Sequence, residues 1–510
     1  MTQDGDNQPT ADSLVTVLSG GVLVSVGKVF SLGFGFLTQI AMARLLTEAA
    51  YGDVVLTMSI VSLMELVGLL GLDDGVMREY PHYEDQLSKA YGVVRSSLLI
   101  SLISGVTLAC MLFLSAPMIS RELFNNPSLT QLLRIGAIGI PFITTSSVAS
   151  GLVRGARDAR VLAYVGQIFQ PAVRLVLVGS LLLGGYEAIG ALTGQTSSLI
   201  LAALATFYLA YKILPSFEIS PTPMYRTVLA FSLPLIAVQG MGFLNTNVDV
   251  YMVGYFLESS ELGVYNIALQ LSNIVTSILS TVGFLLPPML TRLQQEGNNT
   301  AMRRTFQVLT KWMVVLVLPV FVVLFFAPEL VIGLLFGESY TQGALALQIL
   351  LSGSLIAIFM GLNSQALIAL GNNRVVSYIV LCQTLVNVVA NYTLVPVIGF
   401  EGAAIGMAVS SIIGDLLGVA ILYRRHEVHP FTRHVLSPVV AVLGLGFLSY
   451  GTLLVLGLPT YWTGVLVGVA YLPIIAILAP EPEDEELLSR VEGQTGYDLN
   501  IIRRAIASLR

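Results

Sequence analysis

From residue 15 to residue 479 the chain is a succession of long apolar runs separated by short clusters of polar and charged residues. About 20 mostly apolar residues in α-helical form cross the roughly 30 Å hydrocarbon core of a bilayer. The runs predict spans at about 15–45, 50–72, 89–118, 128–153, 160–184, 187–212, 227–257, 262–289, 305–335, 342–370, 375–398, 401–423, 433–457 and 461–479. They lack the short alternating segments that a membrane β-barrel would show. The pattern predicts an all-α, polytopic membrane protein of about fourteen transmembrane helices. The connections are too short to hold a folded domain. Residues 1–14 form a polar, acidic N-terminal tail, and residues 480–510, opening with EPEDEE, form an acidic, amphipathic C-terminal tail.

Composition removes the rival classes. Hydrophobic types make up 55% of the 510 residues and charged types 11%, against roughly 25% charged in soluble proteins. A soluble enzyme, a disordered chain and a nucleic-acid-binding module are thereby excluded. Cys110 and Cys382 lie apart in separate apolar runs, so neither a disulfide framework nor a thiolate metal site is indicated. His426, His429 and His434 share a short basic loop without cysteine, and no metal is expected there. No Gly-rich phosphate loop or nucleophile elbow occurs, so the chain is not read as an enzyme. With the N-terminus in the cytoplasm, 19 of the 25 Lys and Arg residues, Lys311 among them, fall in even-numbered loops or the C-terminal tail. Only Arg44 and Arg121 fall on the opposite side. That bias predicts a cell-membrane protein with both termini cytoplasmic.

The chain also repeats itself. LLTEAAYG (45–52) parallels FLESSELG (256–263), and Ala116-Pro117 parallels Ala327-Pro328, each pair 211 residues apart. GGYEAIG (184–190) and IGFEGAAIG (398–406) close the two units. An N-lobe at 15–212 and a C-lobe at 227–423 would each hold six helices in the same orientation, leaving 433–479 outside the repeat. A site is then expected between the halves, near the bilayer midplane.

The run FSLPLIAVQGMGFLNTNVDVYMVGYFLESSELGVYNIALQLSNIVTSILSTVGFLLPPML (231–290) resembles the polysaccharide and oligosaccharide flippases of the multidrug/oligosaccharidyl-lipid/polysaccharide exporter superfamily. ARLLTEAAYGDV (43–54) and LGLDDGVMREY (70–80) fit the same family. The resemblance implies two six-helix lobes around a central cavity, alternating access, and movement of a lipid-linked oligosaccharide. Membrane lipids and the glycosyltransferases of the same pathway are the implied partners, and no cofactor beyond a coupling Na⁺ or H⁺. An ion-coupled multidrug or organic-cation antiporter of the same superfamily is the alternative, and it would need an acidic cavity. A membrane glycan polymerase or glycosyltransferase would need a large outer loop or a soluble domain, and neither is present.

Four cations lie within spans, where a charge costs about 2.5–3.5 kcal/mol at the helix centre. Lys28 and Arg174 are the deepest; Arg95 and Arg134 lie near helix ends, where snorkelling is cheap. A phosphate or pyrophosphate headgroup fits such a basic wall; an internal pair such as Lys28 with Glu65 is the structural alternative. No cation of the second half is expected to be as deep. Gln167 and Gln170 share the face of Arg174, while Gln270 and Asn273 form a second polar stripe. Gln383, Asn387 and Asn391 form a third, at i, i+4 and i+8. Their amides suit sugar hydroxyls, or equally hydrogen bonds between helices. The acids Glu65, Asp249 and Asp415 suit a coupling ion or a lock between lobes.

Overall fold

The computed structural model describes residues 11–156, 163–213, 220–283 and 286–478. Among them every regular element is helical and no strand occurs. Where no water reaches the backbone, a helix satisfies its own N–H and C=O groups. The described contacts divide the chain into two compact units, Met1–Phe243 and Leu244–Arg510. The first contains α1 (Ala11–Leu45), α2 (Glu48–Leu69), α3 (Leu72–His82), α4 (Leu87–Met118), α5 (Leu129–Gly155), α6 (Gln170–Leu183) and α7 (Glu187–Ile213). The division falls inside α8 (Tyr225–Phe256). The second unit continues with α9 (Ser259–Gly283), α10 (Leu286–Gln295), α11 (Asn299–Phe326), α12 (Pro328–Leu335), α13 (Ala344–Met360) and α14 (Asn363–Ala369). It ends with α15 (Asn373–Ile398), α16 (Phe400–His426), α17 (Arg433–Val455) and α18 (Trp462–Leu478).

Every expected span coincides with a helix. Among the described residues, 11 stretches are long and apolar enough to cross a membrane; α1, α9 and α18 occupy the other three expected positions. Two expected spans are broken. Pro328, which has no N–H to donate, separates α11 from α12, and Gly361, with φ of 70°, separates α13 from α14. Two short helices stand where loops were expected, α3 after α2 and α10 after α9, at matching places in the two halves. The N-terminal ten residues and the tail from 480 onward lie outside the described residues.

The two glycine turns that close the expected repeat units have similar φ. Gly185 (φ 81°) precedes Tyr186-Glu187 at the start of α7, and Gly399 (φ 74°) precedes Phe400-Glu401 at the start of α16. Both take a backbone conformation that disfavours a Cβ. In the first unit, Leu72, Val76, Val93, Val148, Leu152 and Val228 form a buried cluster that draws α3, α4, α5 and the beginning of α8 together. In the second unit α11 is the central helix: Phe306, Met313, Val317, Leu318 and Phe321 are all buried. The two helices outside the repeat pack on it. Phe447 meets Phe326 edge-on at 5.3 Å between centroids, and the Tyr471 hydroxyl donates to the Val315 carbonyl.

Candidate functional site

In the first unit the site is built where α1 meets α6. The chain enters α6 through a π-helical stretch, Ala163–Phe169, and Pro171 follows in the first turn of α6. A π-turn widens the helix and re-aims the side chains on it. Gln167 lies on that stretch and Arg174 two turns later. Glycines of α1 receive both: Gln167 lies over Gly27, and a Cβ at Gly35 would stand 3.3 Å from an Arg174 guanidinium nitrogen. Arg174 is midway along the span Tyr164–Leu183. Its Nε and the Gln167 Oε1 are buried without a hydrogen-bond partner. Among the described residues no carboxylate pairs with Arg174.

The other members of the expected basic wall are placed differently. Lys28 is partly buried on α1, on the helical face of Gly35. Arg95 and Arg134 are exposed, and the Arg134 guanidinium lies 5.2 Å from the centroid of the Phe113 ring. Glu65 accepts a hydrogen bond from Ser147 at 3.0 Å, and no ion pair joins it to Lys28 among the described residues. Gln170 is partly buried.

The second unit departs from the sequence expectation at Lys311. That residue is not in a loop: it is 1% exposed, with its ammonium 5.5 Å from the Trp312 ring. The helix that carries it starts at Asn299 rather than near 305, which moves Lys311 from the second turn to the fourth. A deeply buried cation therefore exists in the second unit too, and the basic character of the first is less exclusive than the sequence suggested.

Asp249, Asp415, Asn387 and Asn391 of the second unit each have a hydrogen-bond partner within that unit. Asp249 is 1% exposed and accepts from the Tyr265 hydroxyl. Asp415 accepts from Asn363 Nδ2 at 2.9 Å. Asn387 and Asn391 are buried; Asn387 donates to the Asn245 carbonyl at 3.2 Å and Asn391 to Asn387 Oδ1 at 2.7 Å. Asn387 thus ties its helix to α8, whereas the bonds of Asn391 stay within α15. Gln383 lies over Gly414 of α16. Gln270 is partly buried and Asn273 exposed on α9.

Two clusters had no counterpart in the sequence reading. Arg154 of α5 binds Asp73 at 3.1 Å and Asp74 at 3.7 Å, and Gln239 of α8 donates to Asp74 at 3.0 Å. At the other end of α2, Asp53 accepts from Asn126 at 2.7 Å and from the Ser128 hydroxyl. In both, the charges sit at helix ends, where sequence alone gives no sign of a partner. The adjacent acids of LGLDDG were the available signal for the first.

Known proteins share both the sequence pattern and the fold. A membrane protein of Methanocaldococcus jannaschii is 21% identical over 396 residues, 72% of this chain and 76% of that one. The succinoglycan biosynthesis transport protein ExoT of Rhizobium meliloti is 24% identical over 284 residues, 55% of this chain and 54% of its own. The lipid II flippase MurJ, in an inward closed conformation, has the same fold, with a TM-score of 0.72 and 14% identity over 89% of this chain and 98% of that one. Residues 41–345 match the polysaccharide biosynthesis protein family, well over half of the chain. This multi-span membrane protein therefore belongs to the polysaccharide biosynthesis protein family, whose relatives are transporters and not enzymes.

Proposed function

We propose that the protein is a flippase that moves a lipid-linked oligosaccharide across the cell membrane by alternating access. The cargo would carry a phosphate or pyrophosphate on a polyprenyl or dolichyl tail, with the tail remaining in lipid. The observation that carries this reading is Arg174: a guanidinium in mid-span, without a carboxylate partner among the described residues and with its Nε unsatisfied. A charge in that position requires a counter-charge. Phosphate oxygens match the planar fork of the guanidinium, so an anionic headgroup is the natural ligand.

Gln167 and Gln170, on the same helix, offer amides to the first sugar hydroxyls. Lys28 adds positive charge from α1. Gln270 and Asn273 are the sugar-facing candidates of the second unit. The likeness to a succinoglycan biosynthesis transport protein supports a polysaccharide precursor as cargo, and the fold shared with a lipid II flippase supports a lipid-borne one. The distribution of Lys and Arg supports a cytoplasmic location for both termini. Glycosyltransferases that build the same glycan would work beside it.

A deletion strain tests this reading. It should accumulate a lipid-linked oligosaccharide on the cytoplasmic leaflet and lose the finished glycan outside. Normal lipid-linked pools and a normal surface glycan would overturn it.

A further inference from the structure

A cavity of about 240 Å³ lies within the first unit, bordered by α2, α5, α7 and the π-helical entrance to α6. An anionic headgroup at Arg174 leaves it unused. It is smaller than the roughly 300–1,000 Å³ sites that hold drug-sized ligands, so it suits one small ring. Its lining is mixed: Glu65, Ser146, Ser150, Gln170 and Thr206 are polar, and Ile143, Val165 and Leu199 are apolar. Gly166 lines it too, and a Cβ there would meet no atom within 4 Å.

The polar groups offer both halves of a hydrogen bond. Ser146 donates to the Ile143 carbonyl at 3.2 Å and Thr206 to the Ala202 carbonyl at 2.9 Å, so their oxygens remain as acceptors. The Ser150 hydroxyl and the Gln170 amide can donate as well as accept. Ser147 donates to Glu65 Oε1 at 3.0 Å, and Oε2 receives no hydrogen bond among the described residues. Glu65 belongs to the long apolar stretch Glu48–His82, where a carboxylate needs partners, and among the described residues no ion pair includes it. A phosphate or carboxylate placed beside it would be repelled. A neutral sugar ring meets the whole lining. Its hydroxyls donate to Glu65 and exchange hydrogen bonds with Gln170 and Ser150, and its C–H face covers the apolar side chains.

We propose that this cavity is the subsite for the first sugar of the cargo, and that the sugar is a neutral hexose with free vicinal hydroxyls, not an acidic one. The proposal rests on the headgroup reading above, because Gln170 lines the cavity one helical turn before Arg174. A diphosphate at Arg174 and the ring attached to it would then lie along one helix. Glu65 confers the selectivity. Sugar hydroxyls satisfy its oxygens, whereas a uronic acid would bring a second carboxylate into the same small space.

The test is binding of three farnesyl diphosphate probes to the purified full-length protein in detergent: bare, glucosylated, or glucuronosylated on the terminal phosphate. The parent should bind the glucosyl probe about tenfold more tightly than the bare one, the yield of one charge-assisted hydrogen bond. It should bind the glucuronosyl probe no more tightly than the bare one. Glu65→Gln should reduce the glucosyl gain and bind the two sugar probes equally. Gly166→Leu, which fills the cavity without touching a charge, should remove the glucosyl gain, and it decides if Glu65→Gln does not fold. Arg174→Ala should weaken all three probes together; unchanged binding of the bare probe there would overturn the headgroup reading, which the sugar increment does not measure. Equal binding of bare and glucosyl probes by the parent, a glucosyl preference kept in Glu65→Gln, or a glucosyl gain kept in Gly166→Leu would overturn the subsite.

Discussion

Gly35 has no side chain, and that lets the Arg174 guanidinium lie against α1, 3.3 Å from where a Cβ would stand. Gly35→Ala should therefore displace the guanidinium by a few tenths of an ångström. We expect transport to fall several-fold at unchanged membrane abundance; full transport in that variant would show that the guanidinium's position does not matter. Asp249 makes a second residue-scale prediction. Its carboxylate is buried and its side-chain donor is Tyr265. Tyr265→Phe removes the donor and should lower stability by about 1–3 kcal/mol, read as a lower melting temperature. An unchanged melting temperature would mean that Asp249 has another source of stabilisation. At this scale the sequence was legible where a charge interrupted an apolar run, as at Lys28, Glu65 and Arg174. It misled at Lys311, whose helix begins earlier than the apolar run does. For Asn387 and Asn391 the spacing identified a shared helical face, but periodicity carries no information about what that face meets.

The helices themselves were largely written in the apolar runs, because in hydrocarbon a long apolar segment has no alternative to helix. The exceptions have physical causes. The short α3 carries Asp73, Asp74, Arg78 and Glu79 among its apolar residues, so it reads as a polar loop to any search for continuous apolarity. Its start is fixed by two successive left-handed residues, Leu70 (φ 53°) and Gly71 (φ 69°), a break that composition does not announce. The turn between α15 and α16 is the opposite case, since its glycine is repeated in the first half. Gly399 has φ 74° and ψ −154°, a region that is essentially reserved for glycine and costs other residues about 1–3 kcal/mol. Gly399→Ala should lower thermal stability by that amount while leaving the helices on either side intact by circular dichroism. A variant as stable as the parent would show that the turn relaxes to another geometry.

On the scale of the whole molecule, the all-helical, multi-span membrane architecture could be read from the chain. The partners of the buried charges could not, because they come from helices far apart in sequence. The bias of Lys and Arg survives the removal of Lys311 from the loops, and it predicts which face of the membrane each loop occupies. With Cys110 and Cys382 replaced by serine, Asn299→Cys should react only with membrane-permeant thiol reagents, and Ser259→Cys with impermeant ones. The reverse pattern would invert the orientation. The central claim is that a fixed guanidinium in the first unit holds the anionic headgroup of a lipid-linked sugar. The most direct measurement is flipping of a polyprenyl-diphosphate oligosaccharide in proteoliposomes containing equal amounts of the parent protein, Arg174→Lys or Arg174→Ala. A charge-assisted contact of about 1.5–3 kcal/mol corresponds to roughly a 10- to 150-fold change. The account predicts a loss of that size for Arg174→Ala and an intermediate one for Arg174→Lys, which keeps the charge but not the fork. Flipping at the parent rate by correctly folded Arg174→Ala would contradict it.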